Sequence, residues 1–344
     1  MQSILEVFAP VPMRWRFGEP RDERVLSEQA LMELEKLSGK VNYTQYNGKS
    51  FPVEICVFDE PEKYTYFSDN WAPPSLPIPY CFIRLSSRAE YSDDELHEWM
   101  FVGTEYEISK NDANICASES SARDLQTTLI DLSLASNIAN PGGLNFDKCH
   151  IFSNNRAVGG GKSVCHTFYD SWLEAKKLGW PPLKQIPLSQ MWDWLQNIEG
   201  FKTRIGTTNI GRALASLSYL MRPGDGWGNN LDLVWSLLGL EAIYCKGNVG
   251  LKSQLLEKTT VLLGERKENK KLFGWMYDFR SRLVHGDVDI VYFHNEYDAT
   301  QAHERFSEDV FKCETIATAL LLSTIQEMCL QNTFKLDFKY KMTD

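Results

Sequence analysis

The segment Met276–Asp287, MYDFRSRLVHGD, combines two arginines with a histidine at a predicted helix end. Arg280 and Arg282 carry permanent positive charge and forked donors that suit a phosphate group. His285 can give or take a proton near neutral pH, and the helix dipole favours positive charge at that end of a helix. These residue types predict a site that binds phosphate and carries out acid–base chemistry.

The spacing within this segment decides which side chains can meet. Ser281 and His285 share a helix face at i,i+4, and Arg282 neighbours His285 at i,i+3. Arg280 precedes His285 by five residues, which is about 140° around a helix. A shared site therefore requires the helix to end at His285 so that Arg280 reaches across, or a second copy that supplies the missing partner. Gly286 predicts that helix end, because glycine usually follows the last helical residue.

Basic residues are concentrated around this segment, although the chain is acidic overall with a net charge of −10. From Gly206 onward there are 16 basic and 18 acidic residues, against 20 and 28 in the preceding part. Two interpretations remain open, a local basic face that binds nucleic acid and an ordinary solvated helix face. The clustered basic residues are Arg266, Lys267, Lys270, Lys271, Arg280 and Arg282.

Five helices are predicted for the C-terminal domain, residues 205–344, from apolar residues at helical spacing. We expect them to form an antiparallel bundle, with Leu231–Cys245 as a buried central helix because it is apolar almost all round. The length of the last helix suggests a partner beyond one bundle. The predicted helices are Ile210–Met221, Leu231–Cys245, Leu251–Leu263, Asn269–Val284 and Asp298–Leu330.

The remaining residues predict an α+β protein. Residues 1–118 are expected to form a mixed α/β or mostly β domain with one helix near Leu26–Leu37. Residues 119–204 are expected to connect the two domains through the helix Asp124–Asn137 and a hairpin across a glycine-rich turn. The predicted strands of these two regions are Val53–Phe58, Tyr64–Phe67, Tyr80–Leu85, Cys149–Phe152 and Val164–Phe168.

Bulk properties narrow the class of protein. The 344 residues suit two domains, and the composition of 43% hydrophobic and 24% charged residues is typical of a soluble, folded chain. No apolar run is long enough for a transmembrane helix, and the N-terminus lacks a secretory signal pattern. Eight cysteines occur without a CxxC pair, which favours reduced thiols. We therefore expect a cytoplasmic protein without membrane contact.

The segment from Trp275, WMYDFRSRLVHG, resembles the Arg-x4-His signature of HEPN domains. The similarity is to the Apea-like branch, whose helix reads Tyr-x-x-Arg-Ser, apolar residues and His-Gly, as Tyr277, Arg280 and His285 do here. The apolar run ending in Leu240-Glu241-Ala242 resembles another recurring segment of that branch. The resemblance spans about residues 205–335 and implies that the C-terminal domain is an all-α, HEPN-like helical bundle.

This resemblance implies metal-independent RNA cleavage at a site formed by a homodimer or higher homo-oligomer. His285 would transfer protons, one copy as base toward the ribose 2′-OH and the other as acid toward the leaving oxygen. Arg280 would stabilise the phosphorane oxygens. The supporting residues would orient phosphate or position Arg280, and they are Ser281, Arg282, Asp278, Glu241 and Tyr277.

The function expected from this resemblance is a defence or stress effector, antiviral, abortive-infection or toxin-like, without a cofactor. The N-terminal domain would then act as a sensor or regulator for an unidentified partner or ligand. One alternative is a catalytically inactive HEPN dimer that binds RNA, nucleotide or protein, with Arg280 paired to Glu241 or Asp278 and His285 serving as a helix cap. In a second alternative, the N-terminal domain carries the function of the protein and the helical bundle is a dimerisation module.

Other candidate residues carry weaker signals. Arg156–Ser163, RAVGGGKS, ends like a phosphate-binding loop but lacks its first glycine, so a hairpin turn is favoured. The dipeptides Cys149-His150 and Cys165-His166 could contribute zinc ligands, yet adjacent strand residues point to opposite faces and two ligands are too few for a closed site. His294 and His303 are expected at the surface, where either could approach the cleft.

Overall fold

The α+β class is confirmed by the computed structural model, which combines ten helices with two antiparallel sheets over the residues that it describes. Contacts between Cα atoms divide the chain into two units, residues 1–137 with 142–167, and residues 138–141 with 168–344. None of the described helices is long and apolar enough to cross a membrane. The described residues are 1–12, 20–59, 80–101, 108–146, 149–159, 167–222, 230–247, 249–264, 269–288 and 301–338.

The first unit is built on a five-stranded antiparallel sheet with the strand order β4-β5-β1-β6-β7. Burial alternates in the first half of β1, where Ser3 and Leu5 are buried and Ile4 is exposed, because successive strand residues face opposite sides. From Val7 to Val11 the strand is buried on both faces. A separate two-stranded sheet pairs β2 with β3. The strands are β1 (Gln2–Pro12), β2 (Asn42–Thr44), β3 (Ser50–Pro52), β4 (Glu54–Phe58), β5 (Tyr80–Glu90), β6 (His150–Ser153) and β7 (Arg156–Val158).

The long strand β1, which contains Pro10 and Pro12, was not among the predicted strands. Among the described residues β6 pairs with Leu5–Phe8 of β1, whereas Pro10 and Pro12 pair with Phe82 and Tyr80 of β5. Proline is tolerated in a strand where its missing N–H faces away from the paired neighbour. The predicted strand Val53–Phe58 is confirmed as β4.

The helices of the first unit are α1 (Pro20–Glu35), α2 (Asp93–Trp99) and most of α3 (Lys110–Ala139). The predicted helix Asp124–Asn137 is confirmed as the second half of α3. Its start was missed, although Ser109 caps it by accepting a 3.1 Å hydrogen bond from the Asp112 amide.

The predicted hairpin requires a correction. Its first strand is present as β6, but the partner is β7, joined by Asn154 and Asn155 with φ of 47° and 62°. Two asparagines in left-handed conformation are typical of a tight hairpin turn. Phe168 directly precedes a helix, whereas most of the expected second strand, Val164–Phe168, lies outside the described residues, as does Tyr64–Phe67.

The second unit is helical, and its last five helices match the predicted positions within three residues. Its first two helices were not predicted. The helices are α4 (Tyr169–Leu178), α5 (Leu188–Gln196), α6 (Asn209–Leu220), α7 (Asn230–Tyr244), α8 (Leu251–Leu263), α9 (Asn269–His285) and α10 (Gln301–Leu330).

Helices α7 and α10 run in the same direction, which corrects the expectation that all five helices are antiparallel. The Ser236 hydroxyl lies 2.8 Å from that of Thr318, and further along both helices the Tyr244 hydroxyl lies 2.8 Å from that of Thr324. Antiparallel helices would instead pair later residues of α7 with earlier residues of α10. Helix α7 is also not buried all round, since Leu231 and Leu238 are 51% and 43% exposed.

Candidate active site on helix α9

Helix α9 ends at His285, as the sequence predicts. Gly286 has a φ of +77°, and its amide donates to the Leu283 carbonyl at 3.4 Å. The Asp287 amide donates to the Arg282 carbonyl at 2.8 Å. These two bonds form a Schellman motif, in which glycine supplies the left-handed residue that closes the last turn. His285 is therefore the C-cap residue, and its side chain is exposed.

Arg280 lies against the side of helix α7. One of its terminal nitrogens, Nη2, is 3.8 Å from Oε2 of Glu241, and its side chain is 23% exposed. The guanidinium carbon lies 5.9 Å from the centre of the Tyr277 ring. Arg280 Nε is buried and has no hydrogen-bond acceptor among the described residues. The Arg280 guanidinium is thus positioned by Glu241 and Tyr277, while its Nε makes no hydrogen bond within the described residues.

Glu241 is fixed by a second residue of α9. The Tyr277 hydroxyl donates a 2.7 Å hydrogen bond to Oε1 of Glu241. Burial, and then this carboxylate, raise the pKa of Tyr277 far above its usual range. The phenol therefore remains a protonated donor at physiological pH, and Glu241 links Tyr277 and Arg280 into one small network.

Asp278 does not share this network. It is exposed and pairs with Lys252 of α8, with 2.7 Å between Oδ1 and Nζ. Of the two carboxylates expected to position Arg280, only Glu241 contacts it. Helix geometry explains why Asp278 is outside the network that contains Tyr277. The two residues lie about 100° apart around the helix axis, so their side chains leave α9 in different directions.

Ser281 is half-buried and Arg282 is exposed. Arg282 Nη2 donates to the Asp287 carbonyl at 3.3 Å, so part of its donor set is used within the C-terminal turn. Both residues lie beside His285 on the same helix, as their spacing predicts.

Arg280 and His285 diverge within one chain. Helix α9 is continuous from Asn269 through His285, so the two side chains leave the axis about 140° apart. The helix end at Gly286 follows His285 and does not shorten that separation. Within one copy, this geometry does not bring Arg280 and His285 to a shared site.

Positive charge surrounds α9 on neighbouring helices, and only part of it was predicted. Lys252 of α8 was missed, and so was Lys312 of α10, whose Nζ lies 5.8 Å from the Trp275 ring centre. Both lie close to α9 only after folding, so local spacing carries no signal for them. Lys271 is exposed. Arg266, Lys267 and His294 lie outside the described residues, as do the side chains of Lys270 and His303.

The alternative motifs provide no competing site in the described part of the chain. Arg156–Val158 forms β7, while residues 160–166, including Cys165 and His166, are outside it. Cys149 is buried, and the Gln126 amide donates to its sulfur at 2.8 Å. No group of three or more His, Cys, Asp or Glu side chains among the described residues is arranged to hold a metal ion.

Comparison with known proteins finds no match for this chain among protein-family models, curated proteins or solved structures.

Proposed function

We propose that this chain is a metal-independent endoribonuclease of the HEPN type that acts as a homodimer and serves as a defence or stress effector. The observation that carries the proposal is the environment of Arg280. The side chain of this arginine is 23% exposed, and its terminal nitrogen Nη2 has only a long, 3.8 Å contact with Glu241. Terminal guanidinium donors that are loosely held suit a phosphate oxygen.

The exposure of His285 supports its role in proton transfer. Its ring projects from the end of α9, where a ribose and a leaving oxygen could both reach it. In the proposed reaction one histidine takes the 2′-OH proton, the 2′ oxygen bonds to phosphorus, and the bond from phosphorus to the 5′ oxygen breaks. A second histidine protonates that leaving oxygen. The products are a 2′,3′-cyclic phosphate and a 5′-hydroxyl, and DNA is excluded because it lacks the attacking group.

A stripe of apolar side chains on α7 supports the dimer, and its members are the exposed Leu231 and Leu238 and the half-buried Trp235. Leu231, Trp235 and Leu238 follow the spacing i, i+4, i+7 and so share one helix face. Tyr219 of α6 extends this stripe by stacking on Trp235, with ring centres 4.2 Å apart and planes 6° apart. The stripe adjoins Glu241, which lies one turn beyond Leu238. We propose that a second copy covers it, because Arg280 and His285 of one copy diverge.

The function of the first unit is proposed by analogy alone. A ribonuclease active on cellular RNA would be toxic unless restrained, and a regulatory ligand or partner of the first unit would provide that restraint.

The proposal is tested by incubating the purified full chain with mixed RNA in EDTA, beside Arg280→Ala and His285→Ala. Arg212→Ala is the matched control, because Arg212 is exposed on α6 of the same unit. We expect cleavage by the wild type and the control, with cyclic-phosphate ends, and none by the two site variants. Cleavage that persists in both variants contradicts the proposal. RNA binding without cleavage by any of the proteins would favour the inactive binding module instead.

A further inference from the structure

The parallel contact between α7 and α10 contains a ladder of polar residues. Ser236 and Thr318 form a hydrogen-bonded pair in its middle. Asp232 lies one turn before Ser236, and Glu314 lies one turn before Thr318, so the parallel direction brings these two carboxyl groups to the same level. Two acidic residues therefore lie at the same level of this helix contact.

Glu314 is buried without a compensating cation among the described residues. It is only 8% exposed, and its Oε2 has no hydrogen-bond donor in the described chain. The charges that act on it are two carboxylates, Asp232 of α7 and Asp170 of α4. Burial, with added repulsion from these carboxylates, raises the pKa of Glu314 to about 8.

Asp232 differs because it has a cation nearby. Arg222, which follows α6, lies 4.0 Å from Asp232 Oδ1. Burial raises the pKa of Asp232 to about 6, and the arginine opposes that rise. Of the two facing carboxyl groups, Asp232 is therefore the one that carries negative charge at neutral pH.

We propose that the Asp232 and Glu314 carboxyl groups hold one proton between them in the folded protein at neutral pH, and that loss of this proton loosens the contact between α7 and α10. Two like charges facing each other at a buried helix contact repel, and an ionised Glu314 would also lack a hydrogen-bond donor. The second unit thereby contains a pH-sensitive element. It uses none of the residues proposed for RNA cleavage.

The direction of the pH dependence follows from linkage. The folded chain binds the Glu314 proton more tightly than the unfolded chain, where the pKa of glutamate is about 4.3. The bound proton of Glu314 therefore stabilises the folded chain fully below the unfolded pKa. This stabilisation decreases as the pH rises and is lost above about pH 8. Over that interval one proton changes the folding equilibrium constant by about tenfold per pH unit.

The test is denaturant unfolding of the full chain between pH 5 and 9, comparing wild type with Glu314→Gln, which stays neutral. The ratio of the variant's folding equilibrium constant to that of the wild type should rise with pH by up to about tenfold per unit, then level off. Glu308→Gln, an exposed position on α10, should give a constant ratio. A Glu314→Gln ratio that does not change with pH would overturn the proposal.

Infrared spectroscopy of the wild type tests whether Glu314 is protonated even if Glu314→Gln does not fold. We expect the wild type to show the stretching band of a protonated carboxyl group at pH 7. This band should shift in heavy water and disappear between pH 8 and 9. In the variant Asp232→Asn the band should disappear at a lower pH than in the wild type. The last change follows because removing the Asp232 charge lowers the pKa of Glu314. Absence of such a band from the wild type at pH 7 would refute the shared proton.

Discussion

The Tyr277 hydroxyl donates a 2.7 Å hydrogen bond to Glu241, across the contact between α9 and α7. The free oxygen of the same carboxylate faces Arg280 at 3.8 Å. Tyrosine, glutamate and arginine thus form a chain in which the orientation of the proposed phosphate-binding group depends on a hydroxyl three residues away.

Tyr277→Phe should weaken this chain. Without the phenol, Glu241 loses its donor and can turn fully toward Arg280, which would tie up the donors proposed for phosphate. We expect slower RNA cleavage and a loss of about 1 kcal/mol in the free energy of unfolding. Both are measured on purified protein, with Arg212→Ala as the control because Arg212 is exposed on α6. Unchanged cleavage in Tyr277→Phe would remove the tyrosine from the site.

Gly286→Ala should disturb the end of α9. An alanine at a φ of +77° is strained, which costs about 1 kcal/mol, and the turn that holds His285 loosens. Gly274→Ala lies within the same helix and meets only Lys252 at an ordinary 3.7 Å, so it should stabilise the helix instead. Thermal unfolding and RNA cleavage distinguish the two variants. Equal effects of both substitutions would contradict this account of the helix end.

Lys258→Met should destabilise the second unit. Lys258 is 6% exposed, and its ammonium donates to the Tyr244 carbonyl at the C-terminus of α7 and to Gln254. Removing the charge leaves that buried carbonyl without its donor, at a cost of about 1 to 3 kcal/mol. Lys246→Met, exposed near the same helix end, should have almost no effect in denaturant unfolding. If Lys258→Met is as stable as the wild type, the hydrogen bond from Lys258 to the Tyr244 carbonyl does not stabilise the second unit.

Leu238→Glu should separate the proposed dimer, because it inserts a charge into the apolar stripe of α7. Analytical ultracentrifugation should give a dimer for the wild type and a monomer for the variant, together with loss of cleavage. Val261→Glu is the control, because Val261 is 75% exposed and lies on a different helix, α8. A monomeric wild type, or a Leu238→Glu dimer, would contradict the proposed interface.

Local signals account for what the sequence predicted correctly. Helix positions in the second unit follow from apolar periodicity, and the end of α9 follows from one glycine. The features that were missed depend on distant residues. Tyr277 and Glu241 are separated by 36 positions and Ser236 and Thr318 by 82, so no local spacing brings them together. The same reason applies to two other features that the sequence did not predict. They are the direction of α7 relative to α10 and the burial of Glu314.

If one active site requires two copies of His285, mixed dimers of wild-type and variant chains should lose activity. Wild type and His285→Ala are unfolded together at equal concentration, refolded, and assayed for RNA cleavage in EDTA. If chains pair at random and each site needs both histidines, activity should be about one quarter of that of the same total wild-type chain. An activity of about one half would mean that each site uses a single His285, and it would contradict a site that needs both histidines.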